Sequence, residues 1–208
     1  MKKLTLVIFT LLTSASFSMS QGYNPAVPSE LEAFVKINKD QSLGLPIGSN
    51  FPEFDYIDLD GYKIDYANLK DKLIVLNTWF VGCTGCKQEE EFLKELTSEF
   101  KDRDDIIFLS FAMSSPQKIE RYYSKRGDFG YKTASVEKKW VIENFKIQLS
   151  PTHYIIKDGI LVELISMPIA TSQLLDWYKN RITSFLDYNL QIGLQDIILD
   201  YLSYPITV

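Results

Sequence analysis

The sequence predicts an α/β domain whose central sheet is mixed, part parallel and part antiparallel, with helices on its faces. Two observations carry this. Apolar runs with strand character alternate with stretches of helical spacing between residues 72 and 145, the pattern of strand–helix–strand units. Two adjacent strand-like runs around Asp158-Gly159 then form a closing hairpin, which adds antiparallel strands. Hydrophobic residues make up 46% of the chain and charged residues 24%, enough to build a core and too apolar for disorder. A length of 208 residues suits one domain with extensions rather than two domains.

The elements follow in order. Lys2 and Lys3 precede an apolar stretch from Leu4 to Leu12, then small residues to Ser18-Met19-Ser20. That is the layout of a signal peptide, residues 1–20, too short to span a bilayer. No cysteine lies beside the cleavage point, which excludes a lipoprotein anchor there. Residues 21–44 form a lead-in, with a short helix in "PSELEAFVKI" capped by Ser29. Residues 45–187 form the domain. "FDYIDLDGYKIDY" alternates around Asp60-Gly61 and predicts a β-hairpin. "KLIVLNTWF" is nearly all apolar, as in a strand buried on both faces. Residues 83–100 have continuous helical spacing. "DIIFLSFAM" is a second buried strand. Ser115-Pro116 opens a helix. "YKTASV" and "VEKKWVIENF" give a third strand and a short helix. The last helix, "TSQLLDWYKNRITSFLDY", puts Leu174, Trp177, Tyr178, Ile182 and Phe185 on one side. Residues 188–208 are an apolar C-terminal extension.

Charge excludes some function classes. The chain has 22 basic and 27 acidic residues, and removal of Lys2 and Lys3 leaves a net charge of −7. An acidic domain without a basic cluster is a poor partner for nucleic acid or anionic membrane.

The two cysteines, Cys83 and Cys86, are the only ones in the chain and stand three apart at the predicted start of a helix. Three readings compete. As a redox pair, they lie on one side of a helix and close a small ring. Cys83 at the helix tip would be favoured as a thiolate and stay reachable, and Cys86 would be shielded one turn in, giving an attacking and a resolving sulfur. As a metal site, the pair offers two ligands where zinc takes four, and His153 is the only histidine; a copper(I) site from the two sulfurs, with or without His153, stays open. As a structural staple, a bridge over three residues restrains the unfolded chain little. The redox reading ranks first, the inert bridge second and the metal third.

"LNTWFVGCTGCKQE" resembles the active-site segment of the exported thioredoxin-like thiol–disulfide oxidoreductases of the TlpA/ResA type. "IGSNFPEFDYIDLDGYKIDYANLKDKLIVLNTWF" is similar to that family's lead-in hairpin and first central strand. "SPTHYIIKDGIL" is similar to its cis-proline segment and following hairpin. The resemblance covers residues 45–187. It implies a thioredoxin-like fold, with an N-terminal hairpin and C-terminal extension around the central mixed sheet flanked by helices, and no cofactor. It implies protein disulfide substrates, an apocytochrome or misoxidised envelope proteins among them, a membrane electron donor, and a location in the periplasm or cell envelope. A peroxidase is disfavoured, because the threonine and proline that precede the reactive cysteine of peroxide-reducing relatives are absent.

Residue by residue, the resemblance implies catalytic roles for Cys83, Cys86 and Glu89. Stepping about 100° per residue also puts Glu89 near the middle of the stripe of Phe92, Leu93, Leu96 and Phe100. Desolvation there would favour the protonated acid and let it exchange a proton with Cys86. Glu90 and Glu91 read as ordinary acids of a first helical turn. Ser150, Pro151 and Thr152 would form the substrate-binding turn, with a cis bond at Ser150-Pro151 offering backbone groups to an extended partner. Trp79 would pack under the site and is grouped with the substrate-binding residues, although a plain core role explains it equally. His153 is assigned no role. Asn77 stands where cytoplasmic thioredoxins have a buried aspartate, so it offers no proton acceptor. Gly82 lacks the family's large residue and leaves the approach to Cys83 open. Thr84-Gly85 lacks the common proline and leaves the redox potential unassigned. Glu91 replaces a helix-kinking proline, which predicts a straighter helix.

Overall fold

The computed structural model describes residues 27–29, 31–32 and 44–187. The expected signal peptide, most of the lead-in and the C-terminal extension lie outside the described residues. At the near end of the lead-in the amides of Leu31 and Glu32 donate to the carbonyl of Pro28, so Ser29 is the first helical residue rather than the cap.

β1 (Asp55–Ile57) and β2 (Lys63–Asp65) form the predicted hairpin, with Tyr56 opposite Ile64. The Asp58 carboxylate shapes its turn by accepting the amides of Asp60 and Tyr62, and Gly61 takes a positive φ of 85° there. A 3-10 turn over Tyr66–Leu69 leads into β3 (Leu73–Trp79), in which all seven residues are buried. Then come α1 (Thr84–Gln88), α2 (Glu90–Glu99), β4 (Ile106–Ala112), α3 (Pro116–Arg126), β5 (Lys132–Ser135) and α4 (Lys138–Phe145). β6 (Thr152–Lys157) and β7 (Ile160–Ile165) make the closing hairpin, and α5 (Ser172–Asp187) follows. Asp158 and Gly159 both have positive φ, as a two-residue hairpin turn demands.

The five-stranded sheet runs β5-β4-β3-β6-β7. β3 pairs parallel with β4 and antiparallel with β6, so the mixed sheet arises at the central strand. Alternation along β3 splits the core into two layers. Val75 and Trp79 join one buried cluster with Leu93, Leu96, Ile155, Trp177, Tyr178 and Ile182. Ile74 and Leu76 join the other with Phe51, Phe54, Phe111, Phe145 and Tyr154. Asn77 shares the parity of Val75 and Trp79, and its β6 partner is His153. Both therefore belong to the layer covered by α2 and α5. The predicted face of α5 is buried throughout, and Arg181 is buried with it.

A further expectation fails. The helix of residues 83–100 is not straight: it breaks at Glu89 into α1 and α2. The break falls at the residue whose side chain is held by partners from β3, β6 and the segment after β7. Tertiary anchoring of a side chain overrides the continuous local spacing.

Candidate functional site: a disulfide over a buried carboxylate

β3 ends at Trp79, and the chain turns through Phe80, Val81 and Gly82 to the cysteines. Gly82 has φ +100°, and a side chain there would meet nothing within 4 Å. There is free space at Gly82 itself, and the backbone conformation is what demands glycine there. Cys83 caps α1, and its sulfur accepts the amide hydrogen of Cys86 at 3.1 Å. Cys83 and Cys86 are joined in a disulfide, with Cα atoms 5.3 Å apart.

Exposure separates the two sulfur residues less than expected: Cys83 is 7% exposed and Cys86 4%. The turn before β6 covers Cys83. The carbonyl oxygen of Ser150 lies 3.5 Å from its sulfur. In the disulfide that sulfur carries no proton, so this is a contact; in the reduced thiol the same geometry suits an S–H···O bond. Ser150-Pro151 is cis, as the resemblance implied. Thr152 is buried and holds the turn, its hydroxyl donating to the Leu149 carbonyl at 3.0 Å and lying 3.1 Å from the Ser166 hydroxyl. It supports the turn from within rather than facing a substrate. Gly85 packs beneath: a Cβ there would stand 3.1 Å from Pro151 Cδ and 3.4 Å from Pro168 Cγ. The small residue in the CxxC pair thus lets two proline segments close over it.

Trp79 is 1% exposed, its ring among Tyr122, Tyr123 and Phe129 and its indole donating to the Ser110 hydroxyl at 2.7 Å. This corrects its grouping with substrate-binding residues: it is core, fixing the end of β3. Two large apolar side chains close in sequence to the site do reach the surface: Phe80, 38% exposed, in the turn before Cys83, and Leu149, 45% exposed, next to Ser150. Sequence reading gave neither a role, although Phe80 lies within the cysteine segment it singled out and Leu149 directly precedes the proline segment.

Glu89 is 1% exposed, as its angular position required. Its setting differs from the bare apolar face expected. Oε1 accepts from Asn77 Nδ2 at 3.1 Å, and Oε2 accepts from the Ile169 amide at 3.0 Å and lies 2.9 Å from His153 Nε2. The histidine left without a role is therefore in the site. Both its ring nitrogens are engaged, Nδ1 lying 3.2 Å from Asn77 Nδ2 and Nε2 2.9 Å from Glu89 Oε2, so neither is spare as a copper ligand beside the sulfurs. Among the described residues no cluster of three or more acidic, cysteine or histidine side chains is placed to hold a metal. The phenols of Tyr131 and Tyr178 are pushed up by burial first; the charge of Glu89 adds to this at Tyr131, and Tyr131, Glu163 and then Glu89 add to it at Tyr178. Both keep their protons beside the site.

Glu90 is also buried, against expectation. Arg126 of α3 pairs with it at 2.5 Å and the Tyr122 hydroxyl donates to it, a link between α2 and α3. Glu91 is exposed and pairs with Lys94, as an ordinary surface acid does.

The sheet order, the disulfide at a helix tip and the proline turn over it define a thioredoxin-fold thiol–disulfide oxidoreductase. The chain belongs to the AhpC/TSA family, whose sequence pattern matches residues 47–164. It is 28% identical over 140 residues to a protein named thiol-disulfide oxidoreductase ResA from Bacillus cereus, covering 67% of this chain and 80% of that one. A ResA of Bacillus thuringiensis subsp. konkukian is 26% identical over 179 residues, 86% of this chain and 94% of the relative. Among solved structures, a putative protein disulfide isomerase from Bacteroides thetaiotaomicron matches with a TM-score of 0.62 at 18% identity, over 70% of this chain and 94% of that one. A putative thiol:disulfide interchange protein DsbE from Chlorobium tepidum matches with a TM-score of 0.59 at 12% identity, over 68% and 99%.

Proposed function

We propose that this thiol–disulfide oxidoreductase works as a reductase of protein disulfides in the cell envelope. The observation that supports the reading best is the seat of Cys83: its sulfur caps a helix and accepts a backbone N–H from Cys86. A backbone N–H directed at the sulfur favours a thiolate, the attacking species in exchange. In the reduced protein Cys83 attacks a substrate disulfide, one S–S bond forms as another breaks, and the first substrate sulfur leaves. Cys86 then loses its proton and attacks Cys83. The Cys83–Cys86 bond forms, the mixed disulfide breaks, and the second substrate sulfur leaves as a thiolate. Two electrons have passed to the substrate.

Glu89, one turn beyond Cys86, is the proposed acceptor of the Cys86 proton. Ser150 and Pro151, with exposed Phe80 and Leu149 beside them, are the proposed seat of an extended, partly apolar substrate segment. The leader expected over residues 1–20 and the likeness to ResA proteins support an envelope location, and a membrane dithiol donor would restore the reduced pair.

Trapping tests this. Cys86→Ser should accumulate mixed disulfides with envelope proteins and Cys83→Ser none. If Cys86→Ser accumulates none under the same conditions, the reductase reading fails.

A further inference from the structure

Asn77, Glu89 and His153 come from three elements and close a ring of hydrogen bonds in the core layer behind the cysteine pair. Asn77 Nδ2 carries two hydrogens. One is directed at Glu89 Oε1 and the other at His153 Nδ1. The reverse amide orientation would set its oxygen against a carboxylate oxygen, so the observed one is favoured. His153 Nδ1 is then the acceptor, and the ring proton sits on Nε2, pointing at Glu89 Oε2. The Tyr178 ring packs edge-on against the imidazole at 5.6 Å. The Ile169 amide completes the set: every partner of the carboxylate is a donor.

We propose that His153 is a positioning residue for disulfide exchange. Its Nε2–H holds the Glu89 carboxylate in the orientation from which it takes the Cys86 proton, and Asn77 sets the tautomer that makes His153 a donor. The proposal rests on the reading of Glu89 as proton acceptor. In the resolving step the proton of the Cys86 thiol passes to Glu89, and the sulfur electron pair forms the bond to Cys83. The bond from Cys83 to the substrate sulfur breaks, and its electron pair leaves with the substrate thiolate. Glu89 later releases the proton to solvent. His153 keeps its own proton throughout. Asn77, which cannot itself accept the proton, thereby acquires a defined role, since it orients the group that orients the acceptor.

His153 is the chain's only histidine, so nitrogen-15 NMR of the full protein reads one imidazole. The expected result is a neutral ring protonated at Nε2; a ring protonated at Nδ1 alone overturns the proposal without any substitution. Single-turnover resolution of a preformed mixed disulfide supplies the second arm. His153→Leu, which removes the donor, should resolve about tenfold more slowly, and His153→Gln, which keeps an N–H donor, should stay within about threefold of the native rate. A merely structural histidine would lower stability in His153→Leu and leave the rate of the folded fraction unchanged. If Glu89→Gln is slow while His153→Leu resolves at the native rate, the positioning role fails alone. If Glu89→Gln also resolves at the native rate, the proton-acceptor reading fails and takes this one with it.

Discussion

Glu89 and Glu163 are buried on the same face of the sheet and are held in opposite ways. Glu163, on β7, faces Arg181 of α5 at 3.0 Å, with the guanidinium also stacked over the Phe185 ring at 4.7 Å. Its charge is answered by a full opposite charge on one helix. Glu89 has no lysine or arginine partner among the described residues; it is held by neutral N–H groups from Asn77 and Ile169 and by the His153 ring. A buried pair of fixed opposite charges is a clamp, and losing one member leaves the other stranded. A carboxylate held by neutral donors keeps its place without a permanent counter-charge. It can therefore answer a change of charge on a neighbouring sulfur. The first arrangement suits the joint between β7 and α5, the second the proton-accepting role proposed for Glu89.

The largest expected effect breaks the clamp. Arg181→Met leaves Glu163 unpaired in the core and should cost about 3–5 kcal/mol of stability, measured by denaturant unfolding, with the exchange rate of the folded protein unchanged. Replacing both members, Glu163→Leu with Arg181→Met, should recover most of that loss. The same variant sharpens the comparison through pH. Burial already pushes the Glu163 carboxyl up from its ordinary value, while Arg181 pulls it down. Without Arg181 the upward displacement grows. The native state then binds the proton more tightly than the unfolded chain, so stability of Arg181→Met should fall as pH rises through the window between the ordinary and the raised value. A flat profile across that window would contradict the assignment of Glu163 as a desolvated acid. Smaller, and on the other side of the comparison, is Gly85→Ala. Its new methyl would press on Pro151 and Pro168, and the cost should be about 1 kcal/mol with an altered reduction potential. Glu91→Ala removes only an exposed pair with Lys94 and should leave both stability and rate as they are.

Much of this site is legible in the sequence alone. β3 is readable as a doubly buried strand because its run is apolar at both parities, and the two hairpins because Asp-Gly turns interrupt alternation. Glu89 is readable as inward-facing because helical angles are local. What escapes are contacts set by register between distant segments. Asn77 meets His153 because β3 and β6 pair antiparallel with those two residues opposite each other, and no local pattern near residue 153 encodes that. The bond from Arg126 to Glu90 and the break at Glu89 escape for the same reason, since each depends on a partner more than thirty residues away or on another element. Trp79 is ambiguous because a tryptophan at the end of a strand suits a core or a surface equally, and only the aromatic cage from α3 and Phe129 decides.

The central claim is that the buried carboxylate behind the disulfide handles the proton of the resolving thiol. Its most direct test is the single-turnover rate at which Cys86 displaces substrate from a mixed disulfide on Cys83, compared between the native chain and Glu89→Gln at neutral pH. The account predicts a loss of about a hundredfold or more in that rate, with Cys83 attack on a fresh disulfide little changed. Equal resolution rates in the two proteins would contradict it.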